Sequence, residues 1–284
     1  MREVTISNEC ITAVISSMGA EMKSAKFNGK EKLWCGDPDV WARQTPILFP
    51  ICGALRDGKF IYEGKEYDLR MHGFALISEF EVESVTDDSA TFLLKSSEET
   101  KEWYPFDFEF RVTYTLVGSK IDITYSVKNM TDGDMYFSIG GHEGYACPEG
   151  IEEYDIIFSE PETFNATLSD DSLLTNEYEN VGVNTNVFPL KNEQIKDLKM
   201  VVFENLKSRS LELKNRNTGE GLKIEYDGFD YMVIWHVPDS PYICIEPWCG
   251  VNDSVDSNHD ITSKKGIIKL SKGEESVKCH SIIF

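Results

Sequence analysis

Residues 112 to 127 constrain the fold most. Val112, Tyr114 and Leu116 alternate with polar neighbours, Gly118-Ser119-Lys120 supplies a turn, and Ile121, Ile123, Tyr125 and Val127 alternate back. A strict period of two buries one face of an extended chain and wets the other, so this stretch predicts an antiparallel β-hairpin. The same pattern recurs. Thr5 to Val14 alternates, Phe80 to Val85 and Ala90 to Leu94 flank a Thr-Asp-Asp-Ser turn, and Leu211 to Leu213 and Leu222 to Tyr226 flank Asn217-Thr218-Gly219, followed by Tyr231 to Val237. Helical periodicity is confined to one short candidate near Ser97 to Tyr104, closed by Pro105. The Asp- and Asn-rich stretch 165 to 186 reads as a long surface loop. With no linker-like segment and no fixed repeat, the 284 residues are expected to form a single all-β domain, a large antiparallel β sandwich.

Composition narrows the partners. The 49 acidic and 28 basic residues give a net charge of −21, a field that repels phosphate backbones and anionic lipid surfaces, so neither nucleic acid nor membrane is expected as a partner. The first residues, Met1 to Ile6, mix charge with apolar side chains and contain no apolar run, which predicts a cytoplasmic protein. Seven cysteines without a CxxC pair suggest free thiols rather than a disulfide framework or zinc ribbon. Asp253, Asp256, Asn258 and Asp260 lack the glycine and closing glutamate of a calcium loop, and read as a polar loop.

Three segments depart from ordinary strand composition. His72 lies in Met71-His72-Gly73-Phe74-Ala75, where the glycine permits a bend; the imidazole is either aimed at a ligand or bonded to backbone at a turn. His142 lies among Gly140, Gly141 and Gly144, a density of glycine that suggests a bulge or the close approach of a ligand. The adjacent Glu143 does not make a zinc-protease motif, because position 146 is Ala146. Glu246 ends the apolar run Tyr242 to Ile245 and precedes Pro247 and Trp248; burial there raises a carboxyl pKa and makes a stronger base, and the indole offers a platform for a sugar ring. Arg43, Arg56 and Arg70 surround the first histidine in sequence and suit hydroxyls, carboxylates or phosphate.

Together these segments resemble the aldose 1-epimerase (galactose mutarotase-like) family, in particular its LacX-like branch. The resemblance is carried by Trp41 to Gly53, by Met71-His72-Gly73-Phe74-Ala75, by Gly140-Gly141-His142 and by Glu246-Pro247-Trp248-Cys249-Gly250, in that order. It implies a two-sheet supersandwich that binds a monosaccharide on its open face without cofactor or metal, as monomer or homodimer. His142 would then be the acid toward the ring oxygen, Glu246 the base on the anomeric hydroxyl, and His72 a further oxygen contact. Arg43, Arg56, Trp248, Glu143 and Asp227 are the other expected substrate contacts. The chain departs from the family at Glu143, where relatives commonly carry proline, and at Leu76 and Ala54, where many carry arginine. Leu76 counts against a phosphorylated sugar, with Arg43, Arg56 and Arg70 keeping that reading open. A sugar-binding protein without turnover and a glycosidase using Glu143 with Glu246 are the remaining readings.

Overall fold

The computed structural model describes residues 1–284. The alternating stretch forms the hairpin Phe108–Val117 and Lys120–Asn129, paired from Phe108↔Asn129 to Val117↔Lys120 with one face buried throughout. This hairpin sits inside a fifteen-stranded, wholly antiparallel sheet that folds back on itself. A four-stranded sheet begins the chain, and two small two-stranded ribbons complete the β structure. One cluster of 65 buried apolar residues draws members from Val4 to Ile282, as expected where inward faces of facing sheets interdigitate. No helix is long and apolar enough to cross a membrane.

Most predicted elements lie where the alternation puts them. Glu81–Val85 pairs with Ser89–Lys95, Ser210–Asn215 with Gly221–Glu225, and Tyr231–Trp235 follows. The helix Glu98–Trp103 starts at a capping box in which Ser97 Oγ accepts from Thr100 N–H while Thr100 Oγ1 accepts from Ser97 N–H. Two expectations are corrected. Thr5 to Val14 is two strands, Glu3–Ser7 and Ile11–Ser16, because Asn8 Oδ1 accepts from the N–H groups of Cys10 and Ile11 and turns the chain. The stretch 165 to 186 is no loop but part of a hairpin of two 17-residue strands, Tyr154–Asp170 and Leu173–Pro189, turning at Asp171 and Ser172. Its register shifts repeatedly and the second strand is largely exposed, so polar side chains occupy both faces and the alternation disappears.

Two short strands, Ile139–Gly141 and Glu143–Ala146, both pair with Tyr242–Cys249. The pairs Ile139↔Cys249, Gly140↔Trp248, Glu143↔Ile245 and Gly144↔Cys244 keep one continuous register across the interruption at residue 142. Residue 142 therefore faces residue 246 across the ladder, with both side chains on the same side of the sheet.

Candidate active site

That register brings together two residues 104 positions apart. His142 Nδ1 lies 3.4 Å from Glu246 Oε2, and neither atom has a hydrogen-bond partner elsewhere in the protein. Glycine makes the contact possible. A Cβ at Gly140 would stand 2.6 Å from Trp248 Cδ1, and one at Gly144 would stand 2.9 Å from Trp41 Cζ3. The two positions flank His142 on its own face, so their missing side chains leave room for Trp41 against His142 and for Trp248 against Gly140 and His72. Trp41 stacks on His142 at 5.1 Å between ring centroids, and Trp235 meets its edge at 5.7 Å.

These groups wall a cavity of about 400 Å³, within the roughly 300–1,000 Å³ typical of small-molecule sites. Glu246, Trp248 and Val233 come from paired strands, and Leu48 pairs opposite Gly140, so one sheet face supplies much of the floor. His72 enters from a turn bridged to Phe49, with φ of 66°. Gly53 N–H donates to His72 Nδ1 at 3.1 Å, which leaves Nε2–H as the donor of the neutral ring. His72 is thus a backbone-bonded turn histidine, and it also lines the cavity. Gly73 could be no other residue: with φ of 70°, a Cβ there would stand 2.3 Å from Phe49 O.

Burial governs the charges. It pushes Glu246 well above the usual carboxyl range, reinforced by the charge of Glu143, and pushes His142 well below the usual imidazole range, with His72 adding to the effect. His72 falls to about 4, again through burial first and Arg70 second. Burial thus favours the neutral form of each group, a carboxylic acid beside an uncharged imidazole.

The structure does not bring every expected residue to the cavity. Arg43 lines it, with Nη1 held by Glu21 Oε2 at 3.2 Å and Leu76 O at 2.9 Å. Trp248 lines it, its indole N–H donating to Gly141 O at 3.2 Å. Arg56 lies elsewhere, its backbone N–H donating to Asp253 Oδ2 and its Nη1 to Ser257 O. Arg70 borders a separate apolar groove. Glu143 points to the opposite face, as its neighbour in a strand must, and is fully buried with Oε1 at 3.1 Å from His280 Nε2. Asp227 is 92% exposed at a surface turn, 3.9 Å from Arg209. The acid loop holds a buried ion pair, Asp253 with Lys264 at 2.7 Å.

Conversely, Trp41, Trp235, Ser169, Ser172, Lys199 and Asn252 line the cavity without having been singled out. Trp235 shares a strand face with Val233, but the run Tyr231–Trp235 is apolar throughout, so no alternation marks that face in the sequence. Ser169 and Ser172 arrive only because the long hairpin folds its tip against the loop at 251 to 255, where Asn252 Nδ2 donates to Ser172 O at 2.8 Å.

The chain as a whole is similar to known proteins. A family model described as aldose 1-epimerase matches residues 2–278. The chain is 32% identical to protein LacX of Lactococcus lactis subsp. lactis, in both its plasmid and chromosomal forms, over 98% of each chain. Among solved structures, a galactose mutarotase related enzyme from Lactobacillus acidophilus is 33% identical, with a TM-score of 0.94 over 99% of this chain and 97% of that one. A galactose mutarotase-like protein from Lactobacillus casei is 26% identical, with a TM-score of 0.93 over 99% of both chains.

Proposed function

The chain belongs to the aldose 1-epimerase family and is an enzyme of the isomerase class, and from that premise we propose that it interconverts the α and β anomers of a free hexose, with His142 and Glu246 as its acid–base pair. The observation that carries this reading is the 3.4 Å contact between two otherwise unpartnered groups in a cavity wall. Opening a cyclic hemiacetal requires one proton delivered to the ring oxygen and one removed from the anomeric hydroxyl. Both oxygens are bonded to the same carbon, so an acid and a base in mutual contact reach them together.

The proton inventory closes. Passing the shared proton from Glu246 to Nδ1 makes a carboxylate and an imidazolium, whose Nε2–H protonates the ring oxygen while Glu246 takes the anomeric proton. The C1–O5 bond breaks, an aldehyde forms, and the pair is again a carboxylic acid beside a neutral imidazole. Those are the forms that burial favours, so the site stabilises its own protonation state at the stage where the ring is open. Rotation about C1–C2 then presents the other face of the aldehyde, and the same transfers in reverse close the ring to the other anomer. Trp41 and Trp248 bound the cavity with flat apolar surfaces, and His72 Nε2–H donates to a substrate oxygen.

Lys199 with Ser169 and Ser172 favours a second reading, an anionic group on the sugar, because they give one wall a cation and two hydroxyls. The seven free cysteines suit a reducing, cytoplasmic compartment. The test is polarimetry on freshly dissolved α-glucose and α-galactose, each compared with α-glucose 6-phosphate. Acceleration of the free sugars supports the proposal, faster turnover of the phosphate ester selects the second reading, and no acceleration of any aldose refutes both.

A further inference from the structure

We propose that the His142–Glu246 pair, together with Cys244, forms a high-affinity site for a thiophilic divalent cation such as Zn²⁺, and that occupancy of this site switches the enzyme off. Cys244 stands two residues before Glu246 in the same strand and projects to the same face. One ligand atom from each of His142, Cys244 and Glu246 lies within 4.8 Å of the other two. All three residues are buried, and two of the donor atoms, His142 Nδ1 and Glu246 Oε2, have no hydrogen-bond partner.

The spacing fits zinc. With Zn–N and Zn–O near 2.0–2.1 Å and Zn–S near 2.3 Å, a tetrahedral ion sets its ligand atoms about 3.3–3.6 Å apart. The His142–Glu246 separation of 3.4 Å already has that value, and from within 4.8 Å the thiol needs an inward shift of at most about 1.2–1.5 Å to join. One nitrogen, one oxygen and one sulfur match zinc's preference, whereas a hard cation such as Mg²⁺ takes oxygen ligands and has only one here. His142 and Glu246 both line the cavity, from which water supplies a fourth ligand.

Occupancy is incompatible with turnover. The ion takes the Nδ1 lone pair and the carboxylate oxygen that pass the shared proton, and binding releases the Cys244 thiol proton and the proton held between the pair to solvent. A sugar cannot then exchange protons with either group, so cation and sugar compete. The inhibitory consequence rests on the acid–base assignment made above; the binding itself does not.

The experiment therefore reads both separately. Co²⁺ added to the apo-protein is followed by visible absorption, where a tetrahedral site with a thiolate ligand gives d–d bands and a sulfur-to-cobalt charge-transfer band; Zn²⁺ is then titrated in to displace it. In parallel, mutarotation is followed in buffered free Zn²⁺, with EDTA reversal. Wild type is expected to show the thiolate band, lose it to Zn²⁺ and lose activity reversibly, competitively with sugar. Cys244→Ala is expected to keep its basal rate, lose the charge-transfer band and need at least tenfold more Zn²⁺ for the same inhibition. A cobalt spectrum without the thiolate band in wild type, or equal Zn²⁺ sensitivity in Cys244→Ala, overturns the proposal. Should the alanine variant fail to fold, failure of saturating sugar to displace the wild-type cobalt signal overturns it as well. A thiolate band in a protein that accelerates no aldose keeps the metal site and refutes the mutarotase assignment instead.

Discussion

Glu246→Gln isolates the chemistry from the fold. The amide has nearly the volume of the carboxyl group, so the strand Tyr242–Cys249 keeps its packing and its register with Gly140 and Glu143. Its carbonyl or NH2 also meets His142 Nδ1 across the same 3.4 Å, whichever way it turns. What it cannot do is release a proton to Nδ1 or accept one from the anomeric hydroxyl. Removing a general base typically costs a factor of 10²–10⁴ in rate, and at 1.36 kcal/mol per tenfold that raises the barrier by about 3–5 kcal/mol. The assay is the decay of optical rotation of fresh α-glucose or α-galactose, corrected for spontaneous mutarotation, with sugar affinity measured separately by calorimetry. The expected result is that loss in kcat with affinity changed by about threefold or less, since the hydroxyl contact to the side chain survives. A rate within threefold of wild type removes Glu246 from the mechanism, and a loss confined to affinity makes it a binding residue only.

The remaining predictions probe the surroundings of the pair. Because the pair works with one proton, the pH profile of kcat/KM is expected to be a broad bell: the acid limb, where both groups become protonated, lies below the ordinary imidazole value of 6.5 because His142 is lowered, and the alkaline limb, where both lose their protons, lies above the ordinary carboxyl value of 4.5 because Glu246 is raised. A single limb, or an acid limb above 6.5, contradicts this. Glu143→Gln removes a charge that raises Glu246, so the alkaline limb should move to lower pH; an unmoved limb shows that Glu143 does not act on the site. Gly140→Ala drives a methyl group to 2.6 Å from Trp248, with an expected loss of about 1–3 kcal/mol in urea unfolding together with lower activity, and unchanged stability would mean that the indole moves freely. Asp227→Asn should leave rate and affinity unaltered, because the side chain is exposed and outside the cavity; any effect beyond twofold places it at the site.

What could be read from the sequence follows from which faces are wet. Tyr114 and Ile123 belong to a hairpin with one buried and one exposed face, and there the alternation announces itself. The strands at 165 to 186 expose polar side chains on both faces, so no period survives and composition alone suggests a loop. His142 was legible because glycine in a strand needs a reason, and the reasons are the two indoles that Gly140 and Gly144 admit. Lys199 carried no signal, since its neighbours are ordinary and its place in the cavity depends on distant elements meeting. Arg56 entered the expected site on nearness in sequence and Asp227 as the acid the resemblance asks for, neither of which fixes a direction.

Glu143 is the instructive case, because a rule already available decides against it. If His142 faces the cavity from extended chain, its neighbour must face away, and the carboxyl group therefore lies fully buried against His280. The same parity makes the site sensitive to register. A slip of one residue in the pairing of this segment with Tyr242–Cys249 would set Glu143 opposite Glu246 and turn His142 into the core. Several contacts oppose that slip. Trp248 fills the space that Gly140 leaves and donates to Gly141 O, Trp34 N–H donates to Gly144 O at 2.8 Å, and Gly144 N–H donates to Gln44 O at 2.8 Å. The backbone on both sides of residue 142 is thus fixed to partners that accept one register only, and the glycines whose density suggested a bulge or the close approach of a ligand hold His142 opposite Glu246.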